Sequence, residues 1–258
     1  MEVWELKYYS ELLAMGCFTR GELAEHTANY NTAGTLIKSY LKKGYIRRVK
    51  QNLYVAVNLV DNEPAVSKFH IARKITDTAY VSHHAAFEYY GCTNQVSYQV
   101  EVSSETPFAT FDFDGNTYAY LASRIKDGVI TRPEGVRVTD TERTILDGIH
   151  DFEKVMGLEE LLRCLSLLPS VREDQLLKYL AAYNKQVLYQ KTGYILRHFQ
   201  REFHLSEDFF ATCSAFTGKS TRYLTADQSG VYNKEWRLVV PVNLMSRITK
   251  GVEEYADI

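Results

Sequence analysis

Residues 31–57 (NTAGTLIKSYLKKGYIRRVKQNLYVAV) change their hydrophobic period once, and that change constrains the fold more than any other feature of the chain. Ala33, Leu36, Ile37, Tyr40 and Leu41 recur at the i, i+3, i+4, i+7 and i+8 spacing of one helix face. The spacing predicts a short helix with Asn31 as its N-cap and Gly44 as its left-handed stop. After Gly44 the period becomes strand-like. Residues 46–50 and 53–57 read as two strands turning at Gln51-Asn52, where Asn tolerates a positive φ. A helix followed by a tight hairpin is the second half of a winged helix-turn-helix. From His26 to Val60 there are six Lys and Arg and no Asp or Glu. Such a basic, acid-free helix and hairpin is the footprint expected for DNA phosphates.

Charge is distributed unevenly. Residues 1–60 carry eight Lys and Arg against five Asp and Glu, a net of +3, whereas the whole chain of 258 residues has a net charge of −2. The basic character is therefore local, as for one DNA-reading module on an acidic body. The length allows two domains. Cys17, Cys92, Cys164 and Cys213 show no CxxC pair, which argues against a zinc site or a disulfide framework. They read as small buried apolar residues in a reducing compartment. The start of the chain lacks the basic and apolar regions of a signal peptide, and no apolar run is long enough for a bilayer. A cytoplasmic protein without membrane contact is expected.

Along the chain, residues 2–15 form an amphipathic helix with Val3, Trp4, Leu6, Tyr8, Leu12 and Leu13 on its apolar side. Thr19 and Glu22 form a capping box that opens a second short helix. Residues 61–64 (DNEP) are polar and end in Pro, and so mark the expected domain junction. The expected fold is α+β. A winged helix-turn-helix over residues 1–60 precedes a larger mixed α+β domain over 64–258. That domain divides into an α+β part with mostly antiparallel strands (64–150) and a mainly helical part (151–258). Val96, Tyr98, Val100 and Val102 alternate as the inward face of a half-buried strand. Asp114-Gly115 marks a hairpin between residues 108–113 and 117–122. Residues 139–142 (TDTE) read as a further capping box. Residues 158–168, 172–182 and 187–204 show helical spacing. Pro241 places a late strand, 236–242, at a sheet edge.

The candidate DNA-binding residues are Asn31, Thr32, Thr35, Lys38, Ser39 and Lys42 on the helix, with Arg48 and Lys50 on the hairpin. Asn, Thr and Ser near a recognition-helix start suit base edges, and the cations suit phosphates. Strand alternation puts Arg47 and Arg48 on opposite faces, and Arg48 is favoured because it shares its face with Lys50. No catalytic residue, metal or cofactor is expected. His84 and Glu88, four apart on a helix, have no third ligand beside them. The Asp112/Asp114 pair is explained by the hairpin turn. Gly218-Lys219-Ser220-Thr221 lacks the earlier Gly and the strand of a P-loop. Arg143 lies within a helical turn of Asp140 and Asp147, which points to local ion pairing. Tyr183, Tyr189 and Tyr194 fit either a partner surface or the edge of a core.

Four stretches together resemble the AbiEi family of antitoxins from AbiE-type abortive-infection toxin–antitoxin systems. They are residues 41–49 running into 53–55, 79–91, 138–147 and 188–196. The chain departs from the family pattern at Gln51-Asn52, where Arg-Gly is usual, and at Ala85-Ala86, where Ser-Ala is usual. The resemblance implies a DNA-binding repressor of its own operon; the winged helix is expected to occupy inverted repeats of that promoter as two copies. The resemblance also implies a C-terminal domain that neutralises a co-encoded nucleotidyltransferase-like toxin. The alternative is an enzyme, a nuclease or nucleotidyltransferase, using the C-terminal body with Asp112, Asp114 and Glu101 around a metal and the winged helix for targeting.

Overall fold

A computed structural model of the chain describes residues 3–246, with side chains from residue 8. The fold is α+β. The elements run α1 (Val3–Met15), β1 (Cys17–Thr19), α2 (Arg20–His26), α3 (Tyr30–Lys43), β2 (Ile46–Lys50), β3 (Leu53–Ala56), α4 (Lys68–Arg73), β4 (Tyr80–Val81), α5 (His83–Tyr89), β5 (Gln99–Ser104), β6 (Phe111–Phe113) and β7 (Asn116–Ala122). They continue with β8 (Val129–Thr131), β9 (Arg137–Thr139), α6 (Thr141–Val155), α7 (Gly157–Ser166), α8 (Glu173–Tyr183), α9 (Gln186–Arg197), α10 (Glu207–Ala215), β10 (Arg222–Tyr223), β11 (Val231–Asn233) and β12 (Leu238–Val240). Two units emerge. The first holds residues 3–81, 98–121 and 132–137, and the second holds 82–97, 122–131 and 138–246.

In the first unit β3 is the central strand of a three-stranded sheet, antiparallel to both β1 and β2. The apolar stripe of α3 packs as its spacing predicts: Ala33, Leu36, Ile37 and Tyr40 are buried with Leu12, Phe18, Leu23 and Ile46. Burial of each large side chain contributes on the order of 1.5–3 kcal/mol. Val3, Trp4 and Leu6 of the expected apolar side of α1 lie outside the described side chains. The capping box of α2 is present, with Thr19 and Glu22 exchanging side-chain and backbone hydrogen bonds. The cap of α3 is Asn29, not Asn31. The Asn29 side chain accepts from the Thr32 N–H, which starts the helix two residues earlier than the sequence reading. Gly44 ends it at φ 74°, and Asn52 turns the hairpin at φ 59°.

Residues 61–64 fold back on β3 and do not part the two units. Val57 bridges Pro64, the Asn58 N–H donates to Glu63 O at 2.9 Å, and the Ala65 N–H donates to Ala56 O at 2.8 Å. The same unit contains β4, β5, β6 and most of β7, side by side in the order β6-β7-β5-β4. The β4–β5 and β6–β7 pairs are antiparallel. The expected inward face of the 96–102 strand is realised only in part. Val100 and Val102 are buried, but Val96 and Tyr98 are 75% and 73% exposed. Glu101 and Ser103 are buried as well, so β5 is covered on both faces and alternation is not its rule.

The core of the second unit gathers α6–α10 around Ile145, Leu161, Leu180, Ile195 and Trp236. Tyr183, Tyr189 and Tyr194 are buried in it and not on a partner surface. The last strand, β12, pairs with both β10 and β11 and is therefore central. Pro241 follows its final residue, where no ladder hydrogen bond is lost. Gly193 on α9 is required by Trp236: a Cβ there would lie 2.0 Å from Trp236 Cζ3, and the indole is only 1% exposed with nowhere to move. Gly193→Ala is expected to cost about 1–3 kcal/mol through overpacking. An unchanged urea midpoint for that variant would contradict this packing.

The 139–142 motif caps α6 through Asp140, whose side chain accepts from the Arg143 N–H, and not through Thr139. Thr139 instead meets the Thr144 hydroxyl at 2.7 Å, and Glu142 accepts from Arg172. The expected Arg143–Asp147 pair forms at 2.7 Å. Helix α6 bends at Asp151, which has non-helical φ/ψ. Around Asp151 stand His83, His150, Arg124 and Lys154. Burial raises the pKa of its carboxyl, but the hydrogen bond from His150, the imidazole of His83 at 3.6 Å and the charges of His150 and Arg124 outweigh it. The carboxyl is held well below the usual range. A depressed folded-state pKa gives stability that is present above the unfolded value of about 3.9 and is lost as pH falls toward the folded one. Asp151→Asn is therefore expected to flatten the loss of stability below about pH 4, read as urea midpoint against pH. A variant curve parallel to the wild type would count against this role.

Candidate nucleic-acid interface

The first turns of α3 and the outward side of β2 enclose a surface groove of about 410 Å³ in the first unit. Asn31, Thr35 and Lys38 line it from α3, and Arg48 lines it from β2. These are four of the eight residues expected from sequence. Asn31, Thr35, Lys38 and Arg48 are exposed. Among the described residues none forms a salt bridge with Lys38, Lys42 or Arg48, so their charges are not neutralised locally. The Arg48 guanidinium stands 5.8 Å from the Tyr54 ring, a weak cation–π contact that orients it.

The other four expected residues sit elsewhere. Thr32 is exposed beside the groove, and its hydroxyl is 3.2 Å from Asn29 Oδ1 as part of the helix cap. Ser39 is half-buried, and Lys42 is exposed at the far end of α3. Lys50 does not share a face with Arg48. The pairing of β2 with β3 slips between Arg48 and Lys50, and this bulge turns Lys50 away. Its ammonium donates to Ile75 O at 3.0 Å and lies over the Phe108 and Phe111 rings. Burial pushes its pKa down. Lys50 therefore anchors the hairpin within its own unit. Arg47, on the opposite face from Arg48, is also tied down. It pairs with Asp114 at 2.8 Å and donates to Asn62 O.

Sequence reasoning missed Arg20, the first residue of α2. Its guanidinium lines the same groove, donates to Tyr30 O at 2.8 Å and lies 3.8 Å over the Tyr30 ring. Gly34 makes room for it, since a Cβ there would fall 2.5 Å from Arg20 Nη2. A Gly inside a helix next to a cation across the turn was the available signal. The Arg20 N–H also donates to Asn52 Oδ1 at 3.2 Å, which ties the hairpin tip to the start of α2. That bond gives the Gln51-Asn52 tip a structural role.

The whole fold is similar to that of a solved structure at low identity. The RV2827C protein from Mycobacterium tuberculosis matches with a TM-score of 0.66 and 13% identity, over 98% of this chain and 96% of that one. At such identity the likeness concerns the fold alone. No family model and no curated protein matches the chain.

Other expected chemistry is dispersed. Asp114 turns its hairpin at φ 51° and pairs with Arg47, Asp112 accepts from Thr117, and Glu101 accepts from Gln99. These three carboxylates do not form a ligand set among the described residues. His84 Nε2 faces Glu160 on α7, next to Cys164.

Proposed function

We propose that this chain is a DNA-binding transcriptional repressor. In this reading β1, α2, α3 and the β2–β3 hairpin work as a winged helix-turn-helix, with α3 in the major groove and the hairpin beside it. Asn31 and Thr35 address base edges, while Lys38, Lys42 and Arg48 hold phosphates, joined by Arg20. The observation that carries the reading is the groove on which Asn31, Thr35, Lys38, Arg48 and Arg20 converge without an acidic side chain among them. A protein surface that is concave, cationic and fringed by small polar side chains suits a phosphate backbone better than an apolar ligand.

The resemblance to AbiEi antitoxins extends the proposal. The chain would act in the cytoplasm as the antitoxin of an AbiE-type system, repress its own operon as two copies on inverted repeats, and neutralise a nucleotidyltransferase-like toxin. It is not an enzyme in this account. The test is a footprint on the DNA upstream of its own reading frame, with co-purification of the product of any adjacent nucleotidyltransferase-like gene. Protection of two half-sites about one helical turn apart is expected. No protection at any upstream sequence would overturn the repressor reading.

A further inference from the structure

The second unit brings three metal-ligand chemistries to one point. His84 comes from α5, and Glu160 and Cys164 come from α7, four residues apart and hence on one helix face. Their donor atoms all lie within 4.8 Å of one another, with His84 Nε2 at 3.3 Å and Cys164 Sγ at 3.6 Å from Glu160 Oε1. A tetrahedral zinc ion bound by N, O and S at its usual bond lengths holds such donors about 3.3–3.6 Å apart. Two of the three edges already have that length. The third, between His84 and Cys164, is within 4.8 Å.

Hydrogen bonding at Glu160 gives a second argument. The hydroxyl of Thr93 donates to the same Oε1 at 2.8 Å. Three groups thus converge on one carboxylate oxygen, which offers only about two lone-pair directions. The crowding is relieved if a cation takes the shared point. His84 then presents a lone pair and Cys164 a thiolate, while Thr93 stays as the outer hydrogen bond that orients Glu160. Arg163 Nε lies 3.7 Å from Glu160 Oε2, an ion pair without a hydrogen bond. A cleft of about 400 Å³, lined by His84 and Glu160 together with Gln95 and Ser97, opens onto the point and admits a water as fourth ligand.

We propose that His84, Glu160 and Cys164 form a binding site for a divalent transition metal of the zinc type. The mixed nitrogen, oxygen and sulfur set excludes magnesium and calcium as preferred ions. On binding, the Cys164 S–H bond breaks, the sulfur electron pair bonds the metal, and one proton leaves to solvent. The two charges of the ion are matched by one thiolate and one carboxylate, and the Arg163 guanidinium stands beside that carboxylate. This inference does not depend on the DNA-binding reading.

The test uses the untagged full chain, stripped with chelator and titrated with Co²⁺ alone. One equivalent is expected to bind with tetrahedral d–d bands and a thiolate-to-cobalt charge-transfer band, and Zn²⁺ should displace it. C164S should lose the charge-transfer band. C213S, which removes a buried thiol on α10 outside the cluster, should keep it. T93V should weaken binding by about 10–100-fold, as outer-shell changes do. Absence of the band in the wild type, or its retention in C164S, overturns the proposal. If C164S fails to fold by circular dichroism, T93V decides, and an unchanged Co²⁺ affinity there overturns it.

Discussion

Replacing Asp147 by Ala is expected to lower the stability of the chain by about 3–5 kcal/mol, the largest effect of any single substitution considered for this fold. Asp147 and Arg143 are each 1% exposed, one turn apart on α6. Arg143 Nε donates to Asp147 Oδ1, Nη1 donates to Ile125 O and Asp127 O at 3.0 and 2.7 Å, and the guanidinium lies 5.3 Å from the Tyr183 ring. The Tyr183 hydroxyl donates to the same Asp147 oxygen, and burial raises its pKa far out of reach at neutral pH. Removing the carboxylate takes away the anion that Arg143 Nε donates to, at a guanidinium that is out of water. The pair itself need not be stabilising, because both charges must be taken out of water. The double variant R143M/D147L should therefore lie closer to the wild type than D147A does. A chemical-denaturation cycle over the four proteins measures the coupling. A loss below about 1 kcal/mol for D147A would mean that Arg143 reaches water or another anion, contrary to the network described.

The second large effect concerns DNA. The combined variant K38A/K42A/R48A should bind duplex DNA on the order of 10²-fold more weakly at 0.1 M salt, since each phosphate contact is worth nearly one power of the salt concentration. The three side chains are exposed and make no salt bridges among the described residues, so little of the loss can come from the fold. The melting temperature should stay within the small range of surface substitutions. Lys50 provides the contrast. Its ammonium is spent on Ile75 O and two aromatic rings, so K50A should act first on stability and only through it on binding.

What could be read from the chain alone follows the range of the interactions. The stripe of α3, its Gly44 stop, the Asn52 turn and the Thr19–Glu22 box are local, set by residues within one or two turns, and each is found in place. The same holds for Arg143 and Asp147. The bulge between Arg48 and Lys50 was not legible, because alternation assumes an unbroken ladder and the pull on Lys50 comes from Ile75, Phe108 and Phe111. The Asp61–Pro64 stretch has the composition of a linker, yet its backbone hydrogen bonds close on β3, which composition does not encode. Strand β5 departs from its expected alternation for a related reason: a strand covered on both faces carries none. His84 had no visible third ligand because Glu160 and Cys164 arrive from 76 and 80 positions further on, by tertiary packing of α7.

The most direct test of the DNA-binding account is an anisotropy titration of the full chain against a duplex from its own upstream region, repeated between about 50 and 200 mM salt. The account predicts a logarithm of affinity that falls linearly with the logarithm of salt concentration. In K38A/K42A/R48A that slope should be shallower by about 0.9 for each lost phosphate contact. Equal slopes for the wild type and the variant, or wild-type affinity indifferent to salt, would contradict it.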